Sequence, residues 1–459
     1  MVTGPMLLVI LVLGIAAIIL LISKLKLHPF IALVLVAYLM ALAAGVPLVD
    51  TTVDGVTTPG IAKVVTTGFG NTMTSIGIVI LLGTIIGAIL EKSGGAVKMA
   101  DVVVKTVGKK HPGLAMSIIG YIVSIPVFCD SGFVILNPFK RALARKTGVS
   151  AAMMSVALAT GLYATHVMVP PTPGPIAAAA NLGLSDSMLW VILLGMAVSI
   201  PSIIIGYIYA TKVSSKFKCG DDVPKEGDDY DAMIAKFGKL PSAFLSFAPI
   251  VLPILLMALG SISSMAKWTG WFATLCGFLG TPVNALLVGF LFSLTLLPAF
   301  NKETLSDWLA DALKAGGNII IITAAGGALG NVLAVTGIGQ YLGTTLANGL
   351  NIGILVPFLV AAAIKTAQGS STVAIVTTSS LMFPMMASLG LGSQFAHLLT
   401  VMAIGAGSMT VSHANDSFYW VITEFSGLEV KDSYRAWTLA TLVQGVGTMV
   451  VIWILAFFA

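Results

Sequence analysis

Polar residues are scarce along this chain and come in clumps. Long runs of Leu, Val, Ile, Ala and Gly, such as "IVILLGTIIGAIL" at 78–90, are separated by short polar turns. Many runs approach the roughly 20 apolar residues needed to cross a bilayer. Strands of a membrane barrel would alternate polar and apolar positions, and these runs do not. The pattern therefore predicts an all-α, polytopic membrane protein in contact with lipid on many sides. The first run, "MLLVILVLGIAAIILLISKLK", is long and has neither a cationic start nor a small-x-small cleavage site. It is read as a span, not as a leader.

Composition sharpens this picture. Of 459 residues, 57% are hydrophobic and only 9% are Asp, Glu, Lys or Arg, against about 25% in soluble proteins. The mean hydropathy is +1.00. A water-soluble domain is excluded. The net charge of +5 sits in a few loops and implies no nucleic-acid partner. Cys129, Cys219 and Cys276 are too scattered for a disulfide framework or a metal site. The five histidines (28, 111, 166, 397 and 413) form no HExxH, and no GxSxG occurs, so no enzyme, cofactor or metal centre is expected.

One strongly polar stretch, 212–239, carries six Lys and six acids near the middle of the chain. It divides a first half, 1–211, from a second, 244–459, with 212–243 as a cytoplasmic linker. The halves echo each other. At an offset of 243, Gly83, Gly87 and Gly94 match Gly326, Gly330 and Gly337; at 244, Gly161 and Gly183 match Gly405 and Gly427. Positive charge does not follow the repeat. Nine Lys and Arg lie between 92 and 148, while the matching region, 336–391, holds only Lys365. Lys and Arg collect in cytoplasmic loops. The repeats are thus expected to be inverted, a plan that puts transporter sites near the midplane. Both termini then lie on the outer side.

Lys109-Lys110 and Lys140-Arg141 both read as cytoplasmic, yet only 29 residues separate them. One crossing would end on the wrong side, and two need about 40 residues. The expected solution is a re-entrant hairpin over about 112–139, turning near Phe128–Gly132, with a counterpart over about 353–386. Broken helices are expected over about 150–185, at "PPTPGP", and about 394–428, at "SHANDSFYW". Backbone breaks at membrane depth are tolerated where they line a cavity, and helix starts there offer N–H groups to an anion. Asp130, Ser131 and Gly132 mark the first tip, and Gly369, Ser370, Ser371 and Thr372 the second. Thr165, His166 and Thr172 line the proline break; His413, Asn415 and Asp416 belong to the other. An acid in mid-membrane is expensive and usually functional, so Asp130, Asp416 and His413 are the candidates for carrying a coupling proton. Lys365, one turn before the second tip, either attracts a carboxylate or snorkels to the interface. Asn71 and Thr72 are further candidates.

The stretches "PVFCDSGFVIL", "PPTPGP", "GSSTVA" and "SHANDSFYW", in that order, resemble the gluconate permease (GntP) family of proton symporters, over nearly the whole chain. The family pattern is matched in all four, with departures: Cys129-Asp130-Ser131 stands where gluconate carriers tend to have Tyr-Glu-Val, Thr172 where they often have His, and Lys365 where they often have Arg. The resemblance implies symport of gluconate or a related sugar or hydroxy acid with protons across the inner membrane. It also implies a homodimer with a scaffold and a moving transport domain, of elevator type. D-serine as substrate and sodium coupling remain the alternatives.

Overall fold

The computed structural model describes residues 2–53, 56–108, 111–222, 240–337, 353–414 and 416–458. Lys109-Lys110, residues 223–239 of the expected linker and Asn415 lie outside the described residues.

The chain folds into helices, with one small antiparallel hairpin, β1 (Thr51–Val53) on β2 (Val56–Thr58). The first half runs α1 (Met6–Ile19), α2 (Pro29–Ala43), α3 (Ile61–Lys92), α4 (Gly95–Val103), α5 (Pro112–Val123), α6 (Cys129–Thr147), α7 (Ala151–Met168), α8 (Pro173–Asn181) and α9 (Met188–Lys212). The second runs α10 (Ala243–Met265), α11 (Trp271–Gly280), α12 (Pro282–Ser293), α13 (Trp308–Val335), α14 (Leu355–Gln368), α15 (Ser371–Met382), α16 (Gln394–Met409), α17 (Ser417–Ser426) and α18 (Leu439–Ala456). Among the described residues, five helices are long and apolar enough to span a membrane, or seven if two bent pairs each count as one. Large apolar side chains such as Leu13, Leu255, Trp271 and Ile454 point outward. In lipid that exposure has no hydrophobic cost, and hydrogen bonding satisfied within each helix is what matters. This is a multi-pass membrane protein.

The order of elements recurs between halves. A long helix (α3, α13) is followed by two helices around a break (α5–α6, α14–α15), a second broken pair (α7–α8, α16–α17) and a final apolar helix (α9, α18). Among the described residues each half has five glycines with a left-handed backbone, where a side chain would be strained, and three of each five, with φ between +64° and +79°, correspond. Gly94, Gly148 and Gly183 correspond to Gly337, Gly390 and Gly427, at separations of 243, 242 and 244 residues. Each closes a helical segment, so helix endings recur between the halves as well as the order of elements.

At the centre lies α7, every residue of which is buried. It crosses α5 with no room for side chains between them. A Cβ on Gly161 would sit 2.3 Å from the Ser117 carbonyl oxygen, and one on Gly120 2.5 Å from that of Leu158. The equivalent crossing of α14 and α16 has Gly407 against the Phe358 carbonyl, also 2.3 Å. Small residues let helices in lipid approach closely. Gly161→Ala should force α5 and α7 apart and destabilise the protein by about 1–3 kcal/mol, read as a lower melting midpoint in detergent. An unchanged midpoint would contradict the tight crossing.

The start of the polar segment docks on the core. Asp221 is buried against Lys140 (2.7 Å) and Arg141 (2.6 Å) of α6. Asp222 accepts from the Ala151 N–H at the start of α7 (3.1 Å), and Gly220 N–H donates to the Gly427 carbonyl (2.7 Å). The segment thereby ties the two halves on one side.

Candidate functional site

A cavity of about 330 Å³ opens where the helix breaks meet. One wall is made of helix beginnings: Phe128, Cys129 and Asp130 at α6; Ser370, Ser371, Thr372 and Val373 at α15; Asp416, Ser417 and Phe418 at α17. Tyr163 and His166 of α7 form the floor between them. The rest of the lining is His28 and Pro29 at the start of α2, and Asn318, Ile319 and Ile322 of α13, with His28 and Asn318 solvent-exposed.

Local sequence explains why these helices begin here. Gly369, at φ +91°, ends α14, and Ser370 at once caps α15, its hydroxyl accepting from the Val373 N–H (3.3 Å). Asp416 caps α17, accepting from the Phe418 N–H (3.0 Å). Pro126 precedes the extended Phe128 that opens α6. The first N–H groups of a helix have no partner within it and carry its positive dipole end. Three such ends converge on one cavity, which suits an anion.

The charged groups divide into a closed set and an open one. Lys365 is fully buried and meets Asp416 at 2.6 Å. Its ammonium also donates to the Gly369 carbonyl and lies 5.9 Å from the centre of the Tyr163 ring. Asp416 further accepts from Ser412 Oγ (2.5 Å), which accepts from Trp437 Nε1 (2.9 Å). Asp130 is different. Ser417 hydrogen-bonds to its carboxylate, but its Oδ1 is buried with no hydrogen-bond partner. Such an atom is costly to bury, and here it stands beside the cavity.

Of the residues the sequence nominated, Asp130, His166, Ser370, Ser371, Thr372 and Asp416 line the cavity. Others are placed elsewhere. The break in the first helix pair falls at 124–128, one step before the expected tip, so Asp130 lies in the first turn of α6. That rotates Ser131 away, toward a hydrogen bond with Glu91, and Gly132 against Leu162, where a Cβ would sit 2.9 Å from the Leu162 side chain. Thr172 Oγ1 donates to the carbonyls of His166 (2.9 Å) and Val169 (2.7 Å) and so closes α7. Thr165 is fully buried outside the lining, its Oγ1 without a hydrogen-bond partner. His413 Nε2 meets the Thr366 carbonyl at 2.9 Å, outside the lining. Gly369 serves through its backbone alone. Asn71 and Thr72 line a second cavity, of about 220 Å³, together with Asn181, Asn331 and Ser380. The sequence reading passed over Tyr163, His28 and Asn318. The lone Asn318 in "AGGNIIII" was the available signal.

Interrupted helices around a cavity lined by charged and polar groups in a lipid-facing protein are the plan of a membrane transporter. The chain belongs to the GntP family permeases, whose family model matches residues 6–458. It is 36% identical to an uncharacterized permease of Haemophilus influenzae, over 96% of this chain and 91% of the relative. It is 30% identical to a gluconate permease of Pseudomonas aeruginosa, over 95% of each chain. Among solved structures, the YdaH transporter of Alcanivorax borkumensis, described as having an unusual topology, matches the fold with a TM-score of 0.66. It does so over 94% of this chain and 98% of that one, at 13% identity.

Proposed function

We propose that this protein is a proton symporter of the inner membrane that imports gluconate or a related sugar acid. The observation that carries the reading is the cavity itself. Three helix N-termini face it, with one carboxylate, Asp130, whose Oδ1 lacks a partner. The substrate carboxylate binds at the helix starts, near the hydroxyls of Ser371 and Thr372. Asp130 takes a proton before the anion enters, because two buried like charges at close range are unfavourable. The gluconate permease named among the relatives supports the substrate class.

The short helices support two inverted repeats with re-entrant hairpins. At about 1.5 Å per residue, α5 and α15, of 12 residues each, cover about 18 Å, well under the roughly 30 Å of hydrocarbon. In this reading the broken helices move as a transport domain against a scaffold that includes α2 and α13, within a homodimer, and both termini face outward. Liposomes holding the purified protein test the function. Uptake of labelled gluconate, glycerate and D-serine is measured with a proton gradient or a sodium gradient. The proposal expects gluconate accumulation driven by inward-directed protons and indifferent to sodium. Accumulation that follows sodium and ignores pH overturns proton coupling, and uptake of D-serine alone overturns the substrate class.

A further inference from the structure

Besides the helix starts, the cavity is lined by Pro29, Ile319 and Ile322 and by a solvent-exposed polar pair, His28 and Asn318. The pair is bonded in one direction. His28 caps α2, and its Nδ1 lies 3.3 Å from the Phe30 N–H. A backbone N–H can only donate, so Nδ1 is the accepting nitrogen and the proton resides on Nε2. Nε2 lies 3.2 Å from Asn318 Oδ1 and donates to it. The amide oxygen of Asn318 is thereby taken, and its NH₂ group is left as a donor in the cavity lining.

We propose that His28 and Asn318 form a specificity element: His28 is a positioning residue that fixes Asn318, and the Asn318 NH₂ binds a hydroxyl oxygen at the far end of a polyhydroxy acid. The inference rests on the function proposed above and concerns which acids that cavity prefers. The substrate carboxylate sits on the helix-start wall. A long hydroxy acid reaches across and meets the donor, whereas a three-carbon acid held by its carboxylate stops short and faces apolar surface. The two residues are 290 apart in sequence and belong to elements other than the broken helices, so this contact forms only when the site stands opposite α2 and α13.

Half-saturation for gluconate and glycerate uptake is measured in liposomes containing the full chain or its variants. Asn318→Leu should raise the gluconate value about threefold to tenfold, the effect of losing one ordinary hydrogen bond, and leave glycerate within twofold. His28→Ala frees the amide to turn and should shift the same ratio in the same direction by a smaller factor. His28→Gln, which can still donate to Oδ1, should restore the ratio. A purely structural role would lower uptake of both acids alike without changing their ratio, and that result overturns the inference. So does an unchanged ratio in Asn318→Leu. If the unaltered protein carries neither acid, the proposed function itself fails and this inference falls with it.

Discussion

Asp130→Asn in the reconstituted protein is expected to abolish gradient-driven accumulation of substrate while sparing at least a tenth of substrate exchange. Asparagine is neutral and nearly isosteric with a protonated aspartate. It keeps an acceptor for the Ser417 hydrogen bond and its place in the first turn of α6. It cannot release a proton. If Asp130 carries the coupling proton, the variant is held in the state that admits an anion, and substrate crosses in either direction without coupling. Counterflow of labelled for unlabelled substrate reads exchange; uptake under an imposed proton gradient reads accumulation. Wild-type accumulation would mean that another group carries the proton. Asp416 is engaged with Lys365, Ser412 and the Phe418 N–H, so it could take that role only by breaking those contacts. Loss of both readouts with normal folding would make Asp130 part of substrate binding instead.

Much of the site was legible in the sequence because a polar residue in an apolar span has few explanations. Asp130, Asp416 and the Ser370–Thr372 stretch stood out for that reason, and the cavity gathers them. Breaks at Gly369 and at Pro170–Pro171 were legible too, since a left-handed glycine closes a helix and successive prolines remove backbone donors. What could not be read was helix phase. A break displaced by a few residues turns Asp130 toward the cavity and Ser131 toward Glu91, and spacing alone does not say which. Hydroxyls were overrated for a related reason. Thr172 satisfies carbonyls freed at the end of its own helix, a local role that looks identical in sequence to ligand binding. Contacts between distant segments were invisible. Lys365 could be read as snorkelling or as a lure for a carboxylate, and only the fold brings Asp416, 51 residues on, within 2.6 Å of it. His28 and Asn318 were hidden in the same way.

The pairing of Lys365 with Asp416 leads to the largest expected effect on stability. Lys365→Met leaves a carboxylate buried without its cation and should cost about 3–5 kcal/mol. The measured signs are a marked fall in the detergent melting midpoint and reduced yield. The Lys365 ammonium also donates to the Gly369 carbonyl, so without it the turn between α14 and α15 loosens as well, and transport should be lost. The double variant Lys365→Met with Asp416→Asn separates the two consequences. Asparagine still caps α17, since Asn and Asp are comparable N-caps, and no unpaired charge remains. Stability should recover most of the loss, because a buried ion pair adds little over a neutral replacement, and the remaining deficit of about 1–2 kcal/mol is the bond to the Gly369 carbonyl. Transport should stay absent if the pair shapes the anion site. A double variant as unstable as Lys365→Met alone would show that the lysine acts through the Gly369 carbonyl and Tyr163, not through its pairing with Asp416. Recovery of transport together with stability would place the pair outside the working parts of the site.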